Sequence, residues 1–257
     1  MAISIIQHNI NGLIAHIREF KHFLLQKQVD IVCLQETFLK PTKTANFPGY
    51  TTIRKDRIDR KGGLLILVKQ GIKFVEIKTH DSVECQVIKI ISDENDIILA
   101  NIYISPNSDV DEKDCEFLFT LGKNVLLCGD LNAHSPMWKS NKTNKRGEIV
   151  EKLMDRYNYV LLNTGQPTLV THNGGLSSID LSICNANLAT KCNWSVINTS
   201  LGSDHNPISI QINYNTNLNP IPYQNGRFRK QIGADLQIYV NKTSQIQSFK
   251  NYQSKAN

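Results

Sequence analysis

The sequence predicts an α/β (α+β) fold in which two packed sheets carry helices on their outer faces. Three observations carry that expectation. Short runs rich in Ile, Val and Leu recur between turn residues, as buried strands do. Only two stretches show the wider spacing of an amphipathic helix, and no internal repeat of fixed period is present. A chain built mostly of strands with a few interspersed helices buries its apolar faces best as sheet on sheet, with the helices outside.

In chain order, "ISIIQHNI" reads as the first strand. Residues 13–27, "LIAHIREFKHFLLQK", place Leu13, Ile17, Phe20 and Leu24 on one helical face, and "DIVCLQE" follows as a second strand. The runs "GGLLILVK", "VECQVIKII", "DIILANIYIS" and "NVLLCGD" read as further strands. A second helix is expected in "RGEIVEKLMDRYN", where Ile149, Leu153 and Tyr157 are spaced four apart. "SSIDLSI" and "PISIQIN" complete the strand set. From Tyr214 the chain turns Asn- and Pro-rich with weak periodicity, which reads as a linker and extension outside the core.

The 257 residues, 40% of them hydrophobic, suffice for one large domain or two small ones. The six cysteines form no CxxC pair and most sit in apolar runs, so they read as reduced core residues of an intracellular protein. The amino terminus lacks the basic and cleavage features of a signal peptide, and no apolar run reaches membrane-spanning length. A nuclear or cytoplasmic, non-secreted monomer without membrane contact is expected. The net charge of +6 is concentrated in residues 214–257, which hold six basic residues and one acid; the body is close to neutral. Two basic clusters stand out on it, Arg54, Lys55, Arg57, Arg60 and Lys61, then Lys139, Lys142, Lys145 and Arg146. They suit a phosphate backbone, and equally an ordinary solvated loop.

Polar residues collect where strands are expected to end. Asn9 and Asn11 close the first strand and Glu36 the second, Tyr103 lies near the end of "ANIYIS", and Asp130 and Asn132 end "NVLLCGDLN". Asp204 and His205 open the last strand. Each alone reads as a turn residue. Asp180 is different: between Ile179 and Leu181 in a strand, its carboxylate needs a partner if buried, and His205 is one of the right chemistry. The expectation is that His205 faces Asp180 across neighbouring strands.

Taken in order, "QHNINGL", "CLQET", "NIYISPN", "GDLNAHSPMW", "SSIDLSI" and "GSDHNPI" resemble the motifs of the endonuclease/exonuclease/phosphatase superfamily, which includes DNase I and the apurinic/apyrimidinic endonucleases. The longer stretches "GDLNAHSPMW", "TNKRGEIVEKLMDRYNYVLLNTGQPT", "SSIDLSI" and "RKGGLLILV" resemble the endonuclease domain of non-LTR (LINE-type, jockey-like) retrotransposons. The resemblance implies a DNase I-like, four-layer α/β/β/α sandwich of two mixed sheets over residues 1–213, with 214–257 as the extension. It implies a Mg²⁺-dependent phosphodiesterase, with Mn²⁺ as a substitute, that nicks one strand of double-stranded DNA to leave a 3′-hydroxyl and a 5′-phosphate. Element RNA and a reverse transcriptase domain outside this chain are the further implied partners.

The roles implied are these. Glu36 is the main metal carboxylate, with Asn9, Asn11 and Asp204 near the ion. Asp130 orients or deprotonates the attacking water, and Asn132 holds the water or the phosphate. His205 binds a phosphate oxygen or acts as acid or base, Asp180 fixes its tautomer, and Tyr103 donates to the phosphate or the leaving side. The repair enzymes usually have Trp at the position of His8 and Asp at that of Asn11. His134 in "NAHSPMW" reads as a loop residue. Two other readings are an inositol-phosphate phosphatase or sphingomyelinase of the same superfamily, and an inactive DNA-binding remnant. The phosphatases usually carry an Arg after "GDxN" and a "WCDR" element where this chain has "GDLNAH" and "SSIDL", and every matched polar position is chemically competent.

Overall fold

A computed structural model describes residues 2–58, 61–79, 82–92 and 95–213. Arg60 and the extension 214–257 lie outside the described residues. The chain runs through β1 (Ala2–Asn9), α1 (Leu13–Lys27), β2 (Ile31–Gln35), β3 (Tyr50–Lys55), β4 (Leu64–Lys69), β5 (Phe74–Ile77), β6 (Glu84–Ile90) and β7 (Ile97–Tyr103). It continues through α2 (Glu112–Phe119), β8 (Val125–Asp130), α3 (Lys145–Tyr157), β9 (Tyr159–Leu161), β10 (Leu169–Val170) and β11 (Leu176–Ser177). The last elements are β12 (Asp180–Asn185), α4 (Ala186–Ala189), β13 (Cys192–Val196) and β14 (Ile208–Asn213).

Among the described residues these strands form two six-stranded sheets, ordered β13-β14-β1-β2-β4-β3 and β5-β6-β7-β8-β12-β9, and a small β10-β11 hairpin. Each large sheet has one parallel pair, β1 with β2 and β7 with β8; the other pairs are antiparallel. A parallel pair needs a crossover, and α1 and α2 supply one each. α1 buries Leu13, Phe20, Phe23 and Leu24 against the outer face of the first sheet, while α2 and α3 cover the second. The layers therefore run α/β/β/α, as the sequence pattern and its resemblance imply.

The interior between the sheets changes character along each strand. Alternate residues share a face, so β1 points Ile3, Ile5, Gln7 and Asn9 inward, β2 Ile31, Cys33 and Gln35, and β8 Leu126, Cys128 and Asp130. At one end the space is apolar. At the other it holds amides and acids that bond from sheet to sheet: Gln35 Nε2 donates to Asn101 Oδ1 (2.6 Å), whose own amide donates to the carbonyl of Leu34 (3.0 Å). These hydrogen bonds offset much of the cost of burying the amides, although the Gln7 and Gln35 side-chain oxygens have no partner. The same register explains Gly129 in "GDLN": a Cβ there would lie 1.9 Å from the Ile102 carbonyl oxygen on β7, so the acid at 130 can sit at this strand end only behind a glycine.

Both expected helices form, over Leu13–Lys27 and Lys145–Tyr157, although Phe23 takes the buried place expected of Ile17, which is only half-buried. α2 is an addition. Its start is a capping box in which the Asp111 carboxylate accepts from Asp114 N (3.0 Å) and the Asp114 carboxylate from Asp111 N (2.9 Å). Asp180 opens β12 where the sequence pattern put it inside a strand.

His8 is the misfit of this layer. It faces the α1 side with Ile6 and Ile10, is 1% exposed, and neither ring nitrogen has a hydrogen-bond partner. Burial, then repulsion from His205 and His16, pushes its pKa down to about 3, so the ring is neutral. An unpartnered buried polar group costs on the order of 1–3 kcal/mol. His8→Leu is expected to raise unfolding free energy at pH 7 by about 1 kcal/mol in chelator-treated protein. Because the folded pKa lies below the ordinary 6.5, wild-type stability is full above about pH 6.5 and falls toward pH 3. Denaturant titrations at pH 7 and pH 4.5 should show the wild type losing more stability than the variant; equal losses would remove His8 as the cause.

Candidate active site

The chain brings six strand ends to one rim of the sandwich. The parallel pairs β1/β2 and β7/β8 end there, carrying Asn9, Glu36, Tyr103 and Asp130, and the antiparallel neighbours β12 and β14 begin there, with Asp180 and His205. Asp180 sits directly opposite Asp130, which is in register with Tyr103. The turns leaving these strands are tight. Asn11, Glu36 and Asn132 adopt left-handed backbone conformations at φ of 45°, 51° and 46°. For Asn this is a modest demand, but for Glu it is uncommon and requires its surroundings to hold it. Here Gly12 N donates to the Glu36 carbonyl (2.8 Å) and Thr37 N to the Gly63 carbonyl (3.2 Å), pinning the residue from both sides.

Two hydrogen-bonded groups share the rim. In the first, the Asn9 amide donates to Glu36 Oε1 (3.0 Å) and to Asp130 Oδ2 (2.9 Å), while Asn9 Oδ1 accepts from Asn11 N (3.1 Å). Asn11 Nδ2 reaches Asp204 Oδ1 (3.3 Å) at the exposed lip. Asn132 N donates to Asp130 Oδ1 (3.0 Å), and the Asn132 amide is anchored on the Ile104 carbonyl (3.0 Å). In the second group His205 Nδ1 lies 2.8 Å from Asp180 Oδ2. Thr168 Oγ1 donates to the same oxygen (2.6 Å) and Gln7 Nε2 to the other (3.4 Å). The pairing was expected across neighbouring strands. It forms instead between the sheets, because β12 belongs to one and β14 to the other.

Charges in this group set each other's titration. Burial disfavours the His205 imidazolium, but the charge and hydrogen bond of Asp180, with Asp130 and Asp204 behind it, win and raise the ring to about 10. Asp130 is pushed up to about 7 by burial and by Asp180's charge, against the pull of His205 and the hydrogen bonds from Asn9 and Asn132. The Tyr103 phenol is raised by burial and by the Glu36 carboxylate beside it.

The family model for "Endonuclease-reverse transcriptase" matches residues 97–209, the span from β7 to the start of β14. Curated relatives include the RNA-directed DNA polymerase from mobile element jockey of Drosophila funebris, 25% identical over 77% of this chain and 22% of that protein. Another is the probable RNA-directed DNA polymerase from transposon BS of Drosophila melanogaster, 25% identical over 86% of this chain and 25% of that protein. The chain thus spans about a quarter of the length of these relatives. Among solved structures, the endonuclease domain of TRAS1, a telomere-specific non-LTR retrotransposon, superposes with a TM-score of 0.73 at 19% identity, covering 84% of this chain and all of that one. The AP endonuclease LMAP of Leishmania major superposes with a TM-score of 0.69 at 16% identity, covering 83% and 88%. In sequence the chain is thus similar to retrotransposon proteins, and in fold to a retrotransposon endonuclease domain and an AP endonuclease.

The rim also carries oxygen donors of the kind that hold a divalent cation. Glu36, Asn11 and Asp204 offer oxygen atoms at the half-buried to exposed lip, with the buried Asn9 behind them, a donor set suited to a hydrated divalent cation. Asp130, Asp180 and His205 also bring ligand atoms within 4.8 Å of one another. With His205 held as the imidazolium, however, its Nδ1 is a donor to Asp180, and this trio is better suited to moving protons than to holding a cation.

The basic residues divide by what they touch. Arg54 bonds Asp56 and the carbonyls of Lys40 and Lys43, and Arg146 bonds the carbonyls of Asn132, Pro106 and Ser108, so both brace loops around the rim. Arg57 pairs with Glu84 and lies over the Tyr103 ring; Lys61 lies over Phe38, and the exposed Lys145 pairs with Asp109. Lys55 is half-buried, and Lys139 and Lys142 are exposed. His134 is a loop clasp: its N–H donates to Asn144 Oδ1 (2.9 Å) and its carbonyl accepts Asn144 N (3.1 Å). Gln7, Thr168 and Ser203, whose hydroxyl donates to the Asn9 carbonyl (2.8 Å), were not singled out by the sequence.

Because the folded pKa of His205 lies above its ordinary 6.5, its pairing stabilises the fold fully below about pH 6.5 and the contribution is lost as pH rises toward 10. Ring NMR in chelator should find His205 protonated through neutrality, and Asp180→Asn should lower its titration, because burial is then opposed only by the charges of Asp130 and Asp204. An unchanged titration in that variant would mean that Asp180 does not hold the charge.

Proposed function

We propose that this endonuclease domain hydrolyses one strand of double-stranded DNA, leaving a 3′-hydroxyl and a 5′-phosphate, and that the 3′-hydroxyl primes reverse transcription by a polymerase outside this chain. The observation that carries the proposal is the buried Asp130–Asp180–His205 group lying beside the Glu36 lip, with Asn9 bonded to both Glu36 and Asp130. Water attack on a phosphodiester needs a base near neutrality, a donor for the phosphoryl oxygens and help for the leaving oxygen.

Each role falls to a group whose position suits it. Asp130, pushed up to about 7, accepts the proton of the attacking water, and the Asn132 N–H fixes the carboxylate for it. Asn132 Oδ1 accepts from the same water. His205 Nδ1 is taken by Asp180, so Nε2 donates to a non-bridging phosphate oxygen. Tyr103 donates from the Glu36 side. Glu36, with Asn9, Asn11 and Asp204, would hold Mg²⁺, or Mn²⁺ in its place; when bound, the ion supplies positive charge to the phosphoryl and leaving oxygens. Lys55, Lys61, Lys139, Lys142 and Lys145 meet the DNA phosphates, with Arg54 and Arg146 stiffening the loops that carry them.

The test is nicking of supercoiled plasmid with Mg²⁺, with and without chelator. Glu36→Gln, Asp130→Asn and His205→Ala should each slow nicking about 10²–10⁴-fold, and chelator should stop the wild type. If the wild type and all three variants convert plasmid equally, the assignment fails. Hydrolysis of phosphoinositides in place of DNA would favour the phosphatase reading, and DNA binding without nicking the inactive remnant.

A further inference from the structure

The glycine pair of "RKGGLLILV", Arg57 and Glu84 form a closed chain of contacts around Tyr103 and Glu36. The backbone at Gly62 and Gly63 faces the turn that follows Glu36: Phe38 N donates to the Gly62 carbonyl (2.9 Å) and Thr37 N to that of Gly63 (3.2 Å). On its other side Gly63 N donates to Glu84 Oε1 (2.9 Å). The second oxygen of Glu84 takes the Arg57 guanidinium, whose Nη1 also donates to the Lys61 carbonyl (2.9 Å). Arg57 Cζ then lies 5.6 Å from the centre of the Tyr103 ring, over its face. Glu84 and Tyr103 are register partners on β6 and β7, so the acid holding the guanidinium and the ring beneath it are fixed by the same ladder.

Both glycines have positive φ, and Gly62 also leaves room for Arg57. At Gly62 φ is 129°, and a Cβ would sit 2.5 Å from Arg57 Nε, in the space where the guanidinium stem lies. Beyond Arg57 and Glu84 opens a cleft of about 350 Å³, also walled by Tyr103 and Val110. The Glu84 pair and the Lys61 carbonyl are therefore what keep the guanidinium folded onto the ring. Composition groups Arg57 with the phosphate-contacting cations of its loop; its contacts give it a different task.

We propose that Arg57, clamped by Glu84 in the space Gly62 leaves open, is a positioning residue that fixes the Tyr103 ring against Glu36, and that Gly62 and Gly63 tie this clamp to the strained backbone after Glu36. The kinetic side of the proposal rests on the nuclease reading above; the placement of Tyr103 does not. A cation over a ring face restrains the ring without occupying its hydroxyl, so the Tyr103 phenol keeps its donor for Glu36 or for substrate.

The experiment therefore has two arms. In the first, protein with ¹³C-labelled tyrosine is examined by NMR without DNA, Tyr103 being assigned from Tyr103→Phe. Arg57→Ala and the near-isosteric Glu84→Gln should both shift and broaden the Tyr103 ring signals, and Lys139→Ala should leave them in place. In the second, plasmid nicking is followed at several salt concentrations. Arg57→Ala and Glu84→Gln should each lower kcat on the order of 10- to 100-fold, with KM and its salt dependence unchanged. In a Tyr103→Phe background the Arg57→Ala loss should largely vanish, because the hydroxyl being positioned is gone.

An unperturbed Tyr103 signal in both variants overturns the clamp. So does a raised KM with a salt slope reduced by about one at constant kcat, the mark of a lost phosphate contact. If the wild type fails to nick while the signals move as expected, the function proposed above fails and the clamp stands. Glu84→Gln keeps the side-chain shape, so a fold lost only in Arg57→Ala leaves this variant to decide.

Discussion

A carboxylate buried between two sheets is the constraint around which this rim is organised. Asp180 is 1% exposed, and its oxygens are met from several directions by Gln7 on β1, Thr168 ahead of β10 and His205 ahead of β14. Removing one partner of such a group leaves a desolvated charge unpaired, which is costly. The group therefore fixes more than itself. It ties β12 of one sheet to β1 and to the entry of β14 in the other, holds His205 as the imidazolium, and raises Asp130 across the register pair toward neutrality. Asp180 thus raises the titration of both His205 and Asp130, on the two sheets that meet at the rim.

That arrangement is affordable only because the interior is graded. Three consecutive inward positions on β1, Ile5, Gln7 and Asn9, pass from hydrocarbon to an amide that feeds Asp180 and then to an amide that feeds Asp130 and Glu36. The Gln35–Asn101 bond makes the same transition between β2 and β7. Apolar packing holds the sheets together at one end, and mutual hydrogen bonding makes the polar end possible.

The sequence is legible where burial imposes a pattern and obscure where it does not. The strands recognised from apolar runs, β1, β2, β4, β6, β7, β8, β12 and β14, are the central ones of the two sheets; β3, β5, β9 and β13, which the pattern misses, are the edges. Edge strands such as β3 and β5 are partly exposed and carry Thr, Arg, Lys and Glu in place of a continuous apolar run, while β9 is three residues long. Helix α2 was hidden by the acids that start it, although Asp111 and Asp114 are its signal. The residues gathered at the rim were readable as strand ends, since ends of adjacent strands share an edge. Their partners were not: Gln7 and Thr168 reach Asp180 through packing of sheet on sheet, for which sequence spacing has no signature. The loop arginines mislead for the opposite reason, because charge is visible in the sequence and the carbonyls that engage Arg54 and Arg146 are not.

Hydration divides the site into two parts with different chemistry. Asp204 and Asn11 are exposed and Glu36 half-buried, so the lip can exchange water and keep a cation partly hydrated; Asp180 and His205 are buried, so a proton placed there stays. Asn9 joins the parts, and its being an amide matters. One Nδ2 group donates to a carboxylate in each, while Oδ1 takes the N–H of Asn11 and the backbone carbonyl takes Ser203 next to His205. An aspartate would keep the shape and lose both donors, placing a third negative charge between Glu36 and Asp130. Like charge would then drive Asp130 further upward. The amide at position 9 is what lets the wet carboxylate and the dry one stand one side chain apart.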